Sequence, residues 1–286
     1  MMDCDIAYYE YYDCQMSDHV TYVSESGHEH YCVYYVYTPK DVEVDASTPV
    51  LVHVTHGGGV ADEEKALALN YAASQDTQAV IIVPWTDRPD GVCAALEDAK
   101  NKMVGKGNFD AICAQGTSSG GTAIIRIALE SVNPKRDYTF RFATVCAYDP
   151  AKETGVTKIT GREDDMKRLA EKGTRLFIQT DNSPSRGSSG FCNQYAKEYS
   201  EAGGTAIVAE IEQETRHEGK FTKPITHNSM NWLIGRGMLI EDKLYSNKWY
   251  VYQEGEKKPS TLKEATAILV DETFLKTGEV HEKLAS

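Results

Sequence analysis

The stretch that most constrains this chain is Ala111-Ile-Cys-Ala-Gln-Gly-Thr-Ser-Ser-Gly-Gly121. Small and apolar residues run into Gly116-Thr117-Ser118-Ser119-Gly120, a G-x-S-x-G pattern, and Thr122 to Leu129 continues as an apolar helix. The requirement behind the pattern is steric. A serine held on a sharp strand-to-helix turn needs small residues two before and two after it, because the chain crosses itself there. Centring the turn on Ser118 puts Gly116 and Gly120 at the crowded positions, whereas centring on Ser119 would put the β-branched Thr117 at one of them. Ser118 is therefore the candidate nucleophile, and Ser119 contributes a backbone N–H. The helix that follows turns the positive end of its dipole toward the serine.

Around this stretch the chain alternates between short apolar strands and helices. Strands are expected at Pro49–Thr55, Ala79–Val83, 109–115, Phe142–Ala147, Arg175–Gln179 and Thr205–Ile211. Helices are expected near 61–74, 91–104, 162–172, 190–202 and from about 228. The 91–104 segment carries Val92, Leu96, Ala99 and Met103 on one face. Such alternation predicts a mostly parallel sheet covered on both faces.

Before it come tyrosine-rich strands at 6–15 and 20–26, then a turn at Gly27 into a strand from His30 to Thr38 closed by Pro39. This opening reads as antiparallel and half-buried, with a ligand wall or a dimer edge as further readings of its tyrosines. His28 and His30 lie in a turn without further ligands, so no metal site is expected there. At the other end Lys248–Tyr252 reads as a short strand, Glu254–Lys258 as a polar turn, and Thr261-x-x-Glu264 as a capping box opening a helix to about 276. Residues 1–240 are expected to form the main domain, with 241–286 an appended strand and helix packed on it.

The 286 residues suffice for a large buried core. A net charge of −13, with no long Lys/Arg cluster, argues against nucleic acid and anionic membranes as partners. No apolar run approaches the length of a membrane span. Seven scattered cysteines, with no C-x-x-C pair, fit a reducing cytoplasm, and Cys113 and Cys146 read as small core residues.

Just after the first parallel strand stands His56-Gly57-Gly58-Gly59. A glycine run lets the backbone approach closely and turn its amides inward, which is what a developing oxyanion needs. The order of hairpin strands, HGGG loop, G-x-S-x-G turn and later acid and histidine resembles the α/β-hydrolase superfamily over about residues 20–240. The double glycine Gly120-Gly121 is similar to the hormone-sensitive-lipase-like and feruloyl/acetyl-esterase branches, whereas Thr117 and Ser119 replace the Asp and Ala common in the lipase-like turn.

The resemblance implies an α/β fold with antiparallel N-terminal strands, a mostly parallel central sheet and helices on both faces. It implies an oxyanion hole from the amides of Gly58, Gly59 and Ser119. Its chain order of nucleophile, acid and histidine points to Asp181, after Leu176–Thr180, with Asp149 in second place. For the base it points to His227, before an apolar segment with Trp232, in preference to His217 in the charged run Glu214–Glu218.

The activity implied is hydrolysis of small or medium carboxylic esters through an acyl-enzyme, without metal or organic cofactor. The stretch 150–175 is too short for a large lid. Trp85, following a parallel strand at its carboxyl end, is a candidate lining residue for an aromatic acyl or alcohol group. A serine peptidase or acyl-peptide hydrolase and a non-catalytic binding protein of the same fold are the alternatives, and self-association stays open.

Overall fold

A computed structural model of the chain describes residues 12–40, 42–54, 79–117, 119–148, 150, 161–181, 188–211, 247–261 and 264–265. The strands are β1 (Tyr12–Met16), β2 (Val20–Val23), β3 (Glu29–Cys32), β4 (Tyr34–Pro39), β5 (Val50–Val54), β6 (Val80–Pro84), β7 (Ile112–Thr117), β8 (Phe142–Tyr148), β9 (Arg175–Asp181), β10 (Thr205–Ile211), β11 (Asn247–Gln253) and β12 (Glu256–Ser260). The helices among the described residues are α1 (Pro89–Lys102), α2 (Ser119–Glu130), α3 (Glu163–Glu171) and α4 (Ser188–Glu201).

Ten of the strands form one sheet in the order β1-β4-β6-β5-β7-β8-β9-β10-β11-β12, and β2 pairs with β3 apart from it. From β6 to β10 neighbouring strands are parallel. The two strands at either flank are antiparallel. Every residue of β5 (VLVHV) and β6 (VIIVP) is buried, the continuous pattern of parallel strands covered on both faces.

The helices form because their apolar positions recur at helical spacing. In α1, Val92, Leu96 and Ala99 are fully buried, Pro89 opens the helix, and Lys100 and Lys102 stand in the last turn, where the dipole favours cations. α1 packs on β2, β3, β6 and α2, while α2 lies against β5, β7 and β8. α4 lies against β9, β10 and β11, and α3 sits between α2 and α4. Val50, Val52 and Val54 of β5 share one core with Val80 and Ile82 of β6, Ile112 and Ala114 of β7, and the buried sides of these helices.

Three expectations are corrected. The run from His30 to Thr38 is not one strand: it breaks at Val33, with Cys32 paired to Val20 and Tyr34 to Pro84. The chain changes sheets at that point, and the Val33 carbonyl accepts from the Trp85 N–H instead (2.9 Å). The tyrosines of β4 are also drier than expected. Tyr34 and Tyr37 are buried, and Tyr34 donates its hydroxyl hydrogen to Asp98 of α1 (2.7 Å).

Likewise, Glu254–Lys258 is not a turn throughout. Only Glu254 and Gly255 turn, both at positive φ (51° and 79°), and β12 follows. Two consecutive positive φ values make a tight hairpin whose twist matches the strands it joins. Thr261 and Glu264 form the expected capping box, each backbone N–H donating to the other's side chain (3.0 and 3.2 Å). The helices expected near 61–74 and from about 228, and the rest of the one opened at Thr261, lie outside the described residues. No helix among the described residues is long and apolar enough to cross a membrane.

Candidate active site

Because β5 to β10 are parallel, their carboxyl ends share one edge of the sheet. Val54 pairs with Gly116, Thr117 with Tyr148, and Ile211 with Asp181. In open α/β sheets this edge is where ligands bind.

At its centre β7 ends with Thr117 and α2 begins with Ser119, so a single residue joins strand to helix. That residue, Ser118, lies outside the described set, but its neighbours define the turn. A Cβ added to Gly116 would stand 2.1 Å from the Gly120 carbonyl oxygen and 3.0 Å from the Gly121 nitrogen. No side chain fits there. The sequence argument for a crowded turn thus has a direct steric counterpart two residues before Ser118.

The other candidates are distributed as follows. Asp181 is the last residue of β9, two strands from β7, which at ordinary strand spacing is about 10 Å along the edge. Gly58 and Gly59 lie outside the described residues, in the segment that follows β5. His227 and His217 also lie outside them, between β10 and β11. That connection leaves at Ile211 and returns at Asn247, and those two residues are register partners, so it begins and ends at the same edge as Asp181. Asp149 is outside the described residues as well.

Trp85 directly follows β6 at this edge and is 42% exposed. Its ring lies 6.0 Å from that of Tyr35, tilted by 45°, and Tyr35 in turn lies 6.5 Å from Tyr37. Tyr35 was not singled out from the sequence, where it is one tyrosine among many in β4. His53 and Gln115 were likewise missed, as polar residues inside apolar runs. They touch at 2.8 Å between β5 and β7.

Elsewhere His30 stacks on Tyr22 at 5.6 Å and lies against the Arg88 guanidinium. Among the described residues no group of His, Cys, Asp or Glu is arranged to hold a metal ion. Burial pushes the Cys32 thiol up to about 11 and the Cys192 thiol to about 12, and holds Cys93 well above its usual range. These three are neutral thiols at physiological pH and poor nucleophiles.

No protein-family model and no curated protein sequence matches the chain. Solved structures do. A fungal esterase from Rhizomucor miehei is similar with a TM-score of 0.55 and 14% identity, over 80% of this chain and 86% of that one. A lipase/esterase from Lactobacillus plantarum is similar with a TM-score of 0.54 and 12% identity, over 77% and 97%. A thermostable esterase from Pseudomonas putida is similar with a TM-score of 0.51 and 16% identity, over 80% and 85%. The strand order, the parallel centre and these likenesses agree: the chain has the α/β-hydrolase fold.

Proposed function

We propose that this protein is a serine esterase acting on small or medium carboxylic esters. The observation that carries the reading is the turn between β7 and α2, where the contact of Gly116 with Gly120 leaves room for no side chain and only Ser118 intervenes. It stands at the carboxyl edge of a sheet shared with solved esterases.

In this reading the Ser118 hydroxyl oxygen attacks the ester carbonyl carbon while His227 takes its proton, and Asp181 orients the imidazole and stabilises its charged form. The carbonyl oxygen becomes an oxyanion received by the amides of Gly58, Gly59 and Ser119. Collapse expels the alcohol oxygen, which takes the proton from His227 and leaves acyl-Ser118. Water then attacks the acyl carbon with His227 as base, releasing the carboxylic acid and restoring the serine. No metal or organic cofactor enters these steps. Trp85, with the Tyr35 ring tilted beside it, offers an aromatic surface suited to an aryl acyl or alcohol group. The reducing cytoplasm is the setting that scattered cysteines with no C-x-x-C pair favour, most of those among the described residues being buried.

The test is hydrolysis of p-nitrophenyl acetate, butyrate and octanoate by the wild type, Ser118→Ala and Ser119→Ala. Ser118→Ala should lose on the order of 1,000-fold or more in kcat, while Ser119→Ala, which keeps its backbone N–H, stays active. Loss confined to Ser119→Ala would move the nucleophile by one residue. No turnover by the wild type on any of the three would sink the esterase reading.

A further inference from the structure

Parallel strands at a sheet centre are normally apolar on both faces. β5 and β7 depart from this at one cross-strand position. His53 and Gln115 are register partners, 4% and 1% exposed, and the Gln115 side-chain nitrogen lies 2.8 Å from His53 Nδ1. Their chain neighbours Val52, Val54 and Ala114 belong to the core under the helices, so the pair points to the opposite face of the sheet.

Two apolar side chains would fill this position without the cost of desolvating an imidazole and an amide. A buried polar pair is better explained by specificity than by stability. What this pair can specify is register. Side chains alternate with a period of two, so a slide of β5 along β7 by two residues leaves every side chain on its own face. Valines against isoleucine and alanine discriminate weakly against such a slide. The His53–Gln115 contact does not survive it, because the strand ends move by about 6.6 Å.

The ends held in this way are those that matter for the proposed chemistry. Val54 follows His53, Gly116 follows Gln115, and these two are also register partners. From Val54 the chain runs on to Gly58 and Gly59, and from Gly116 to Ser118 and Ser119. The proposed oxyanion donors thus follow, in sequence, two strands that are not consecutive in the chain, since β6 and α1 intervene. Their separation depends on the β5–β7 pairing.

We propose that His53 and Gln115 are a positioning pair, holding the carboxyl ends of β5 and β7 at the separation that oxyanion stabilisation requires. The inference rests on the esterase reading and extends it to residues that touch no substrate. A misplacement of about 1 Å at such a site costs up to about 100-fold in rate.

The test compares the wild type with Gln115→Met, His53→Leu and His53→Asn, with rates expressed per active site titrated by a fluorophosphonate. The asparagine side chain presents a polar atom where His53 has Nδ1, so it restores the contact that leucine removes. Gln115→Met and His53→Leu should lower kcat by about 10- to 100-fold with KM held within about threefold. Affinity for a trifluoromethyl ketone, whose adduct carries an oxyanion, should fall by the same factor as kcat/KM. His53→Asn should stay within about threefold of the wild type.

Unchanged kcat per site in Gln115→Met overturns the proposal, as does His53→Asn being as impaired as His53→Leu. A lower yield of titratable sites with normal turnover per site reduces the pair to a structural role and overturns it too. Should Gln115→Met not fold, Gln115→Asn, which falls one methylene short of His53, is read in its place. An inactive, unlabelled wild type removes the esterase reading itself, whereas an active wild type with indifferent variants removes the positioning role alone.

Discussion

Gly116 and Gly120 meet so closely that one added methyl group, a Cβ on Gly116, would stand 2.1 Å from the Gly120 carbonyl oxygen. The obstacle is backbone, at the first turn of α2, and backbone cannot rotate aside as a side chain can. Gly116→Ala should therefore displace the β7–α2 turn, lowering stability by about 1–3 kcal/mol and turnover of p-nitrophenyl esters by more than tenfold. Gly190 in α4 is the control: a Cβ there meets nothing within 4 Å. Gly190→Ala should raise stability by about 0.5–1 kcal/mol with activity unchanged. Denaturant midpoints and ester turnover on the same preparations decide the matter, and equal effects at the two glycines would remove the steric argument.

Trp85 and Tyr35 yield a prediction about substrate choice. If their exposed ring surface receives an aryl group, Trp85→Ala should raise KM for an aryl ester such as p-nitrophenyl benzoate by about 5- to 20-fold. KM for p-nitrophenyl acetate should change by less than about twofold. A uniform rise on both substrates would assign Trp85 to general packing of the edge, and no change on either would remove it from the site.

The central strands are legible in the sequence because burial on both faces requires unbroken apolar runs, as in Val80–Pro84 and Val50–Val54. β12 is illegible for the opposite reason. Glu256 to Lys258 face solvent at the sheet edge, so no hydrophobic alternation marks a strand, and this polar run merges in sequence with the turn at Glu254 and Gly255. The break at Val33 is equally hidden, since neighbouring residues of one tyrosine-rich run pair with partners far apart in the chain. At the site, the glycines reveal the turn because crowding leaves a mark in residue choice. His53 and Gln115 leave none, because a polar residue in a strand does not name its cross-strand partner.

The hairpin of β11 and β12 is tied to the sheet by Glu210. Its carboxylate accepts from Lys257 Nζ at 2.7 Å and from Asn193 of α4 at 2.9 Å, and the Lys257 ammonium also lies 3.8 Å above the Tyr250 ring. Lys257→Met keeps the aliphatic length and removes the charge that faces this nearly buried carboxylate at 2.7 Å. It should cost about 1–3 kcal/mol. The neighbouring Lys258→Met, at an exposed pair with Glu256, should stay within about 0.5 kcal/mol. Similar denaturant midpoints for the two variants would show that the Glu210 contact contributes nothing beyond a surface pair.

Alkaline stability follows from the same region. Burial, and then the Glu210 carboxylate, push the Tyr252 phenol from an ordinary 10.0 up to about 12. Tyr34 is raised further, by burial and by its hydrogen bond to Asp98, and burial raises Tyr138 and Tyr199 as well. A phenol that binds its proton more tightly when folded contributes stability that is fully present below the unfolded value. That contribution is lost as pH rises through the folded value. The denaturant midpoint should hold level up to about pH 10 and then fall steadily toward pH 12, because each increment of pH favours an unfolded chain whose tyrosines ionise freely. Absorbance at 295 nm should show part of the tyrosine titration delayed in the native protein and released on unfolding. Tyr252→Phe isolates one contributor: it removes the titrating group, so the fall above pH 10 should become shallower even though the hydroxyl's bond to Asn193 is lost at every pH. A slope identical to that of the wild type would mean that Tyr252 ionises without cost in the folded state, and the coupling between the hairpin and Glu210 would have to be weaker than the geometry implies.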